Sequence, residues 1–174
     1  MAKITTLFAL SMLFLVNIAV AQDIDTLSTA LDSTATVNTT QRTVSEPELG
    51  LIVPPVGFDS SVYFHGYLSF LKRAAIIMYE IDDLDPQTVM SAATDEYFIK
   101  NNMTFLAKKE FVSVHGTVGF YMKSSYEDKG TKYIRYMVYA GNNNSTLILD
   151  IVHPADVELE EELLECMNSI NYTR

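Results

Sequence analysis

The chain has 174 residues, 22 acidic against 12 basic, for a formal charge of −10 and a sequence pI of about 4.6. A surface of that sign lacks the basic footprint that nucleic-acid phosphates require, which argues against a nucleic-acid partner. Cys166 is the one cysteine, so an oxidising compartment offers the chain no internal disulfide.

Residues 1–21 carry one basic residue, Lys3, then an apolar run from Ile4 to Val16, and end Ala19-Val20-Ala21. A short apolar run closed by small residues is the pattern of a secretory signal peptide cleaved after Ala21. That predicts a secreted or periplasmic protein with no stable membrane span after cleavage. Residue 22 is Gln, not the Cys of a bacterial lipoprotein. In residues 22–48, ten of twenty-seven side chains are Ser or Thr. Such a stretch buries too little apolar surface to offset its ordering entropy, so it reads as a disordered tether, or as a glycosylated stalk in a eukaryotic host. Asn-Xaa-Ser/Thr sequons stand at Asn38, Asn102, Asn143, Asn144 and Asn171.

Residues 49–174 have the length of one domain with its own core. Leu51 to Val53 reads as a short strand stopped by Pro54-Pro55, Val62 to Phe64 as a second, and Ala74 to Ile81 as a buried strand. Asp85-Pro86 opens a helix, with Asp as N-cap and Pro in the first turn, whose stripe is Val89, Met90, Ala93, Tyr97 and Phe98.

From Glu110 onward, turn residues punctuate apolar runs at His115-Gly116, at 127–130 and at 141–144. A tight turn at His115-Gly116 sets Val114 opposite Thr117 and Phe111 opposite Phe120, and carrying the register onward sets Met137 level with Leu149. One face then holds Phe111, Val118, Phe120, Met137, Tyr139, Leu147, Leu149 and Ile151. The other holds Val112, Val114, Tyr121, Ile134, Tyr136, Val138, Ile148 and Val152. Two apolar faces predict cover on both sides of an antiparallel sheet. A closing helix beginning around Pro154 to Asp156 carries Leu159, Leu163, Cys166, Met167 and Ile170 on one stripe, with Glu158, Glu160, Glu161, Glu162 and Glu165 on the other.

The proline-rich opening Val53-Pro54-Pro55-Val56-Gly57-Phe58, the run Val112-Ser113-Val114-His115-Gly116-Thr117-Val118-Gly119 and the ending from Pro154 through Ser169-Ile170 resemble the PsbP-like superfamily. That superfamily includes the photosystem II extrinsic protein, a Ran-binding protein and secreted bacterial proteins of unknown role. The resemblance spans Leu51 to Tyr172. It implies an α+β domain, an antiparallel sheet of about six strands with helices on both faces as an α/β/α sandwich. Members mostly bind partners or act as accessories, and no shared catalytic motif exists to carry over.

The residues themselves point the same way. Cys166 lies on the apolar stripe, where an inert buried thiol is the default. His65, His115 and His153 are far apart and none has a second ligand at metal spacing, and Asp82, Asp83 and Asp85 lack the alternation and glycine of a calcium loop. The expectation is therefore no catalytic residue, no metal and no cofactor. The expected role is a secreted or periplasmic accessory protein, not an enzyme, that binds a protein partner, with Glu158, Glu161, Glu162 and Glu165 as an acidic docking face. The alternative is a carrier of a small apolar ligand in an aromatic-lined groove, with Tyr121, Tyr136 and Asp150 in one row of the sheet. A sheet covered on both faces favours the first, and a deep aromatic pocket the second.

Overall fold

The structure is a computed structural model and describes residues 44–172. The expected signal peptide of residues 1–21 and the expected tether up to residue 43 lie outside the described residues. The described part opens with β1 (Val44–Ser45), which pairs with Ile81 and Glu80, so strand pairing begins within the stretch read as a tether.

After a 3-10 turn at Leu49–Leu51 come β2 (Asp59–Ser60), β3 (Gly66–Ser69) and β4 (Ala74–Asp82). Helices α1 (Pro86–Ser91) and α2 (Asp95–Lys100) follow. The chain then runs through β5 (Thr104–Val112), β6 (Val118–Asp128), β7 (Thr131–Gly141) and β8 (Ser145–Pro154), and closes with α3 (Glu160–Asn168). The strands form one eight-stranded antiparallel sheet in the order β2-β3-β4-β8-β7-β6-β5, with β1 pairing β4 off that path.

Two features of the expected sandwich are corrected. The strands number eight rather than about six, because β1 and β2 are two-residue pairings too short to leave a period-two signature. The expected helical layers on both faces are not borne out either: the described helices are one of nine residues and two of six. The single helix expected from Asp85 is split because Thr94 caps a new start, its hydroxyl accepting from the Tyr97 N–H. At the first start, Asp85 accepts from the Thr88 N–H at 2.9 Å with Pro86 in the first turn, as the sequence predicts.

The register differs from the sequence reading at two turns. Val112 pairs with Val118, leaving Ser113 to Thr117 in the loop, so Phe111 stands opposite Gly119 and not Phe120. The cause is Ser113, whose hydroxyl accepts from the N–H groups of His115 and Thr117 and holds a wider loop than a two-residue turn. Phe111 then lies over the bare Gly119, where an added Cβ would stand 2.5 Å from its ring. At the next-but-one turn, Gly141 pairs with Thr146, so Met137 faces Asp150 and Val138 faces Leu149. One residue of slip turns β8 over, and Leu147, Leu149 and Ile151 move to the face of Tyr121, Tyr136 and Val138. Between these two turns, Lys129-Gly130 makes the tight hairpin, both residues at positive φ.

The main core lies between that face and α3. Ile76, Met78, Tyr121, Tyr136, Val138, Leu147, Leu149 and Ile151 meet Leu159, Leu163, Cys166, Met167 and Ile170 there. The helix begins at Glu160, several residues later than the stripe suggested, with Leu159 as its buried N-cap residue. Beyond it, Asn171 N–H donates to Leu51 O at 2.9 Å and the Tyr172 hydroxyl donates to Glu80 at 2.5 Å, so the described C-terminal residues close onto the sheet.

Candidate functional site

The row expected to hold Tyr121, Tyr136 and Asp150 is divided between the two faces. Tyr121 and Tyr136 share the α3 face, their ring centroids 5.9 Å apart, and both are buried. Asp150 pairs with Met137 and so belongs to the opposite face.

On the α3 face, Tyr136 is the hub. His153 stacks on its ring at 6.2 Å, and the Lys123 ammonium sits over the ring at 5.3 Å while donating to Glu160 at 2.8 Å. Burial raises the Tyr136 phenol above its ordinary value, and the nearby Lys123 ammonium works against that rise. Burial pulls the Lys123 ammonium down, but its bond to Glu160 and the neighbouring Tyr136 outweigh that and leave it raised. The hydrogen bond from Lys123 holds the Glu160 carboxyl below the usual carboxylate range. Burial lowers the His153 imidazole, which keeps it neutral while its Nδ1 lies 2.9 Å from Pro154 O. These groups pin the start of α3 to the sheet.

On the opposite face, Asp150 accepts two bonds from Arg135, from Nε at 2.7 Å and from Nη2 at 2.9 Å. Both side chains are close to fully buried. Nη1 of Arg135 reaches the Tyr97 hydroxyl at 3.4 Å, and Tyr97 in turn donates to Met137 Sδ at 3.8 Å, which couples α2 to β7. Burial would pull the Arg135 guanidinium down, but Asp150 more than reverses it, so the guanidinium stays charged. Burial, then Asp150, raises the Tyr79 phenol, and burial raises Tyr126 with Arg135 opposing. Tyrosines 79, 97, 126 and 139 surround this pair, so the tyrosine-rich side of the sheet is not the one the sequence pattern suggested. Sequence reading missed Arg135. The signal was present: one cation in the apolar run of β7 and one carboxylate in that of β8, the two ionised residues that a two-faced sheet must pair.

The acidic face of α3 is partly committed. Lys72 donates to Glu162 at 2.6 Å, and Arg73 reaches Asp156 in the preceding loop at 3.0 Å. Glu158, Glu161 and Glu165 are exposed.

Burial pushes the Cys166 thiol up to about 12, so the nucleophilic thiolate is scarce at neutral pH. His65 bonds the Pro47 carbonyl and approaches Glu46 at 3.6 Å, while His115 is exposed in its loop. Among the described residues, no three His, Cys, Asp or Glu side chains are grouped to hold a metal ion. Asp85 is used as the cap of α1, its carboxyl lowered first by the Thr88 hydroxyl.

No family model matches the chain, so the PsbP-like resemblance rests on the turn residues and element order alone. No curated protein matches it either. Several solved structures are similar, two of them as follows. One is LpqN, involved in cell envelope biogenesis of Mycobacterium tuberculosis, with a TM-score of 0.47 and 16% identity over 78% of this chain and 83% of that chain. The other is a protein of unknown function from Pseudomonas aeruginosa described as a putative regulator, with a TM-score of 0.45 and 14% identity over 83% of this chain and 91% of that chain. Likeness at this level concerns the path of the chain and not its role. Among the described residues, no helix is long and apolar enough to cross a membrane.

Proposed function

We propose that the chain is a secreted or periplasmic accessory protein of PsbP-like type that works by binding a protein partner and carries out no chemistry itself. The observation that carries this reading is the closure of the tyrosine face: Tyr121 and Tyr136 are packed beneath Leu163, Met167 and Ile170 of the closing segment. Side chains already filled from within offer no wall to an apolar cargo, which weighs against the carrier alternative. Recognition then falls to the outer surface, where Glu158, Glu161 and Glu165 form an exposed acidic face suited to a basic partner.

The test is site-specific photo-cross-linking in cells that secrete the protein. A cross-linker at position 161 traps one discrete protein adduct, and Glu158→Gln with Glu165→Gln lowers its yield, the more so at low salt. Equal adduct yields from position 161 and from Asn143, in the exposed β7–β8 turn, would contradict the acidic docking face.

A further inference from the structure

Among the described residues strand β5 ends the sheet, paired on one side by β6 and open along the other. Most of its side chains are exposed, including Leu106 at 47% and Val112 at 59%. In a chain of net charge −10, its centre Lys108-Lys109-Glu110 is locally basic, so here a second copy meets less repulsion than on most of the acidic surface. An edge of this length is a template for another strand unless its charges forbid the pairing.

Its charges select one pairing. In an antiparallel, two-fold symmetric contact, a single residue faces its own copy and the sequence reads outward from it in both directions. Centring on Lys108 sets Glu110 against Leu106, and centring on Glu110 sets Lys109 against Phe111. Centring on Lys109 sets Lys108 against Glu110 twice. Alternate residues share a face, and pairing with β6 places Lys108, Glu110 and Val112 together on the face away from α3. The like-charge encounter at the centre falls on the α3 face, where Glu160 stands close enough to feel the charge of Lys109. Leu106 sits at the bulge between Phe105 and Ala107, which ends the regular edge and limits the contact to its central residues.

We infer that β5 pairs with β5 of a second copy of this chain, antiparallel and centred on Lys109, joining the two sheets into one. The inference does not rest on the acidic face of α3.

The test is sedimentation of the whole chain from micromolar to near-millimolar concentration. The wild type forms a dimer. Lys108→Glu places two carboxylates opposite two others, and Glu110→Lys does the same with ammonium groups, so each weakens association about tenfold or more. The double variant Lys108→Glu/Glu110→Lys restores the dimer, and so does an equal mixture of the two single variants, whose charges complement only across the strand pair. Both sites are exposed, and unchanged melting curves show that the single variants remain folded. A wild type monomeric at every concentration would overturn the inference. So would single variants that dimerise as tightly as the wild type, or a double variant and a mixture that stay monomeric. Glu161→Gln leaves the dimer intact, so failure here is distinguishable from failure of the docking face.

Discussion

Beneath α3 the sheet meets a continuous apolar seam, whereas its other side carries a charged pair tied to the Tyr97 hydroxyl of α2 and to the Met103 sulfur. The difference follows from helix length. A nine-residue helix with Leu159 before it and Ile170 after it presents enough apolar surface to fill one face. Two six-residue helices do not, and Arg135 with Asp150 completes the other side. One face is held by apolar burial alone, and the other must also keep a buried charge paired.

The largest effect is therefore expected on the charged face. Asp150→Ala leaves Arg135 buried without its counter-ion and should destabilise by about 3 to 5 kcal/mol, a large part of a net stability of about 5 to 15 kcal/mol. The double variant Arg135→Met/Asp150→Leu should recover most of that loss, and chemical denaturation of the three proteins checks it. A double variant as unstable as Asp150→Ala would show that the pair's geometry, not charge burial, holds the face.

On the apolar face, Leu163→Ala should destabilise by about 2 to 5 kcal/mol through lost transfer energy and the cavity left behind. No charge compensation can rescue it. Cooperative folding of a chain truncated before Pro154 would contradict the assignment of α3 to the fold.

A smaller effect distinguishes the faces by pH. His153 is buried with its native pKa depressed, so the unfolded chain binds a proton that the native protein refuses. Stability is thus fully present above the ordinary imidazole range near about 6.5 and falls as pH drops through it toward the lower native value. His153→Phe, which keeps a ring on Tyr136, should flatten the thermal-melting curve across that window. The depressed carboxyls of Glu160 and Asp85 act at lower pH, where their stabilisation is lost as they protonate.

These expectations show what was readable in the chain. The 3, 4 and 7 spacing of Leu159, Leu163, Cys166, Met167 and Ile170 predicted the buried stripe. Which strand residue belongs to which face was not readable, because a single hydroxyl at Ser113 and a four-residue connection from Asn142 to Ser145 each move the register by one. That slip is invisible in a strand apolar on both sides, since either parity looks equally buried. It is why Asp150 was expected beside Tyr136 and stands instead against Arg135.

The smallest effect concerns the surface. Glu161→Gln should change stability by less than about 0.5 kcal/mol, because the side chain is exposed and the fold does not draw on it. A larger loss would mean that the acidic face serves the helix rather than a partner.

The claim that α3 seals the tyrosine face is tested most directly by the alkylation rate of Cys166, which lies in the seam between helix and sheet. Measured against rising urea, labelling should be strongly suppressed in the native protein and should accelerate in parallel with global unfolding. Fast labelling without denaturant, at a rate that urea leaves unchanged through the native range, would show that α3 lifts locally and opens a groove over Tyr121 and Tyr136.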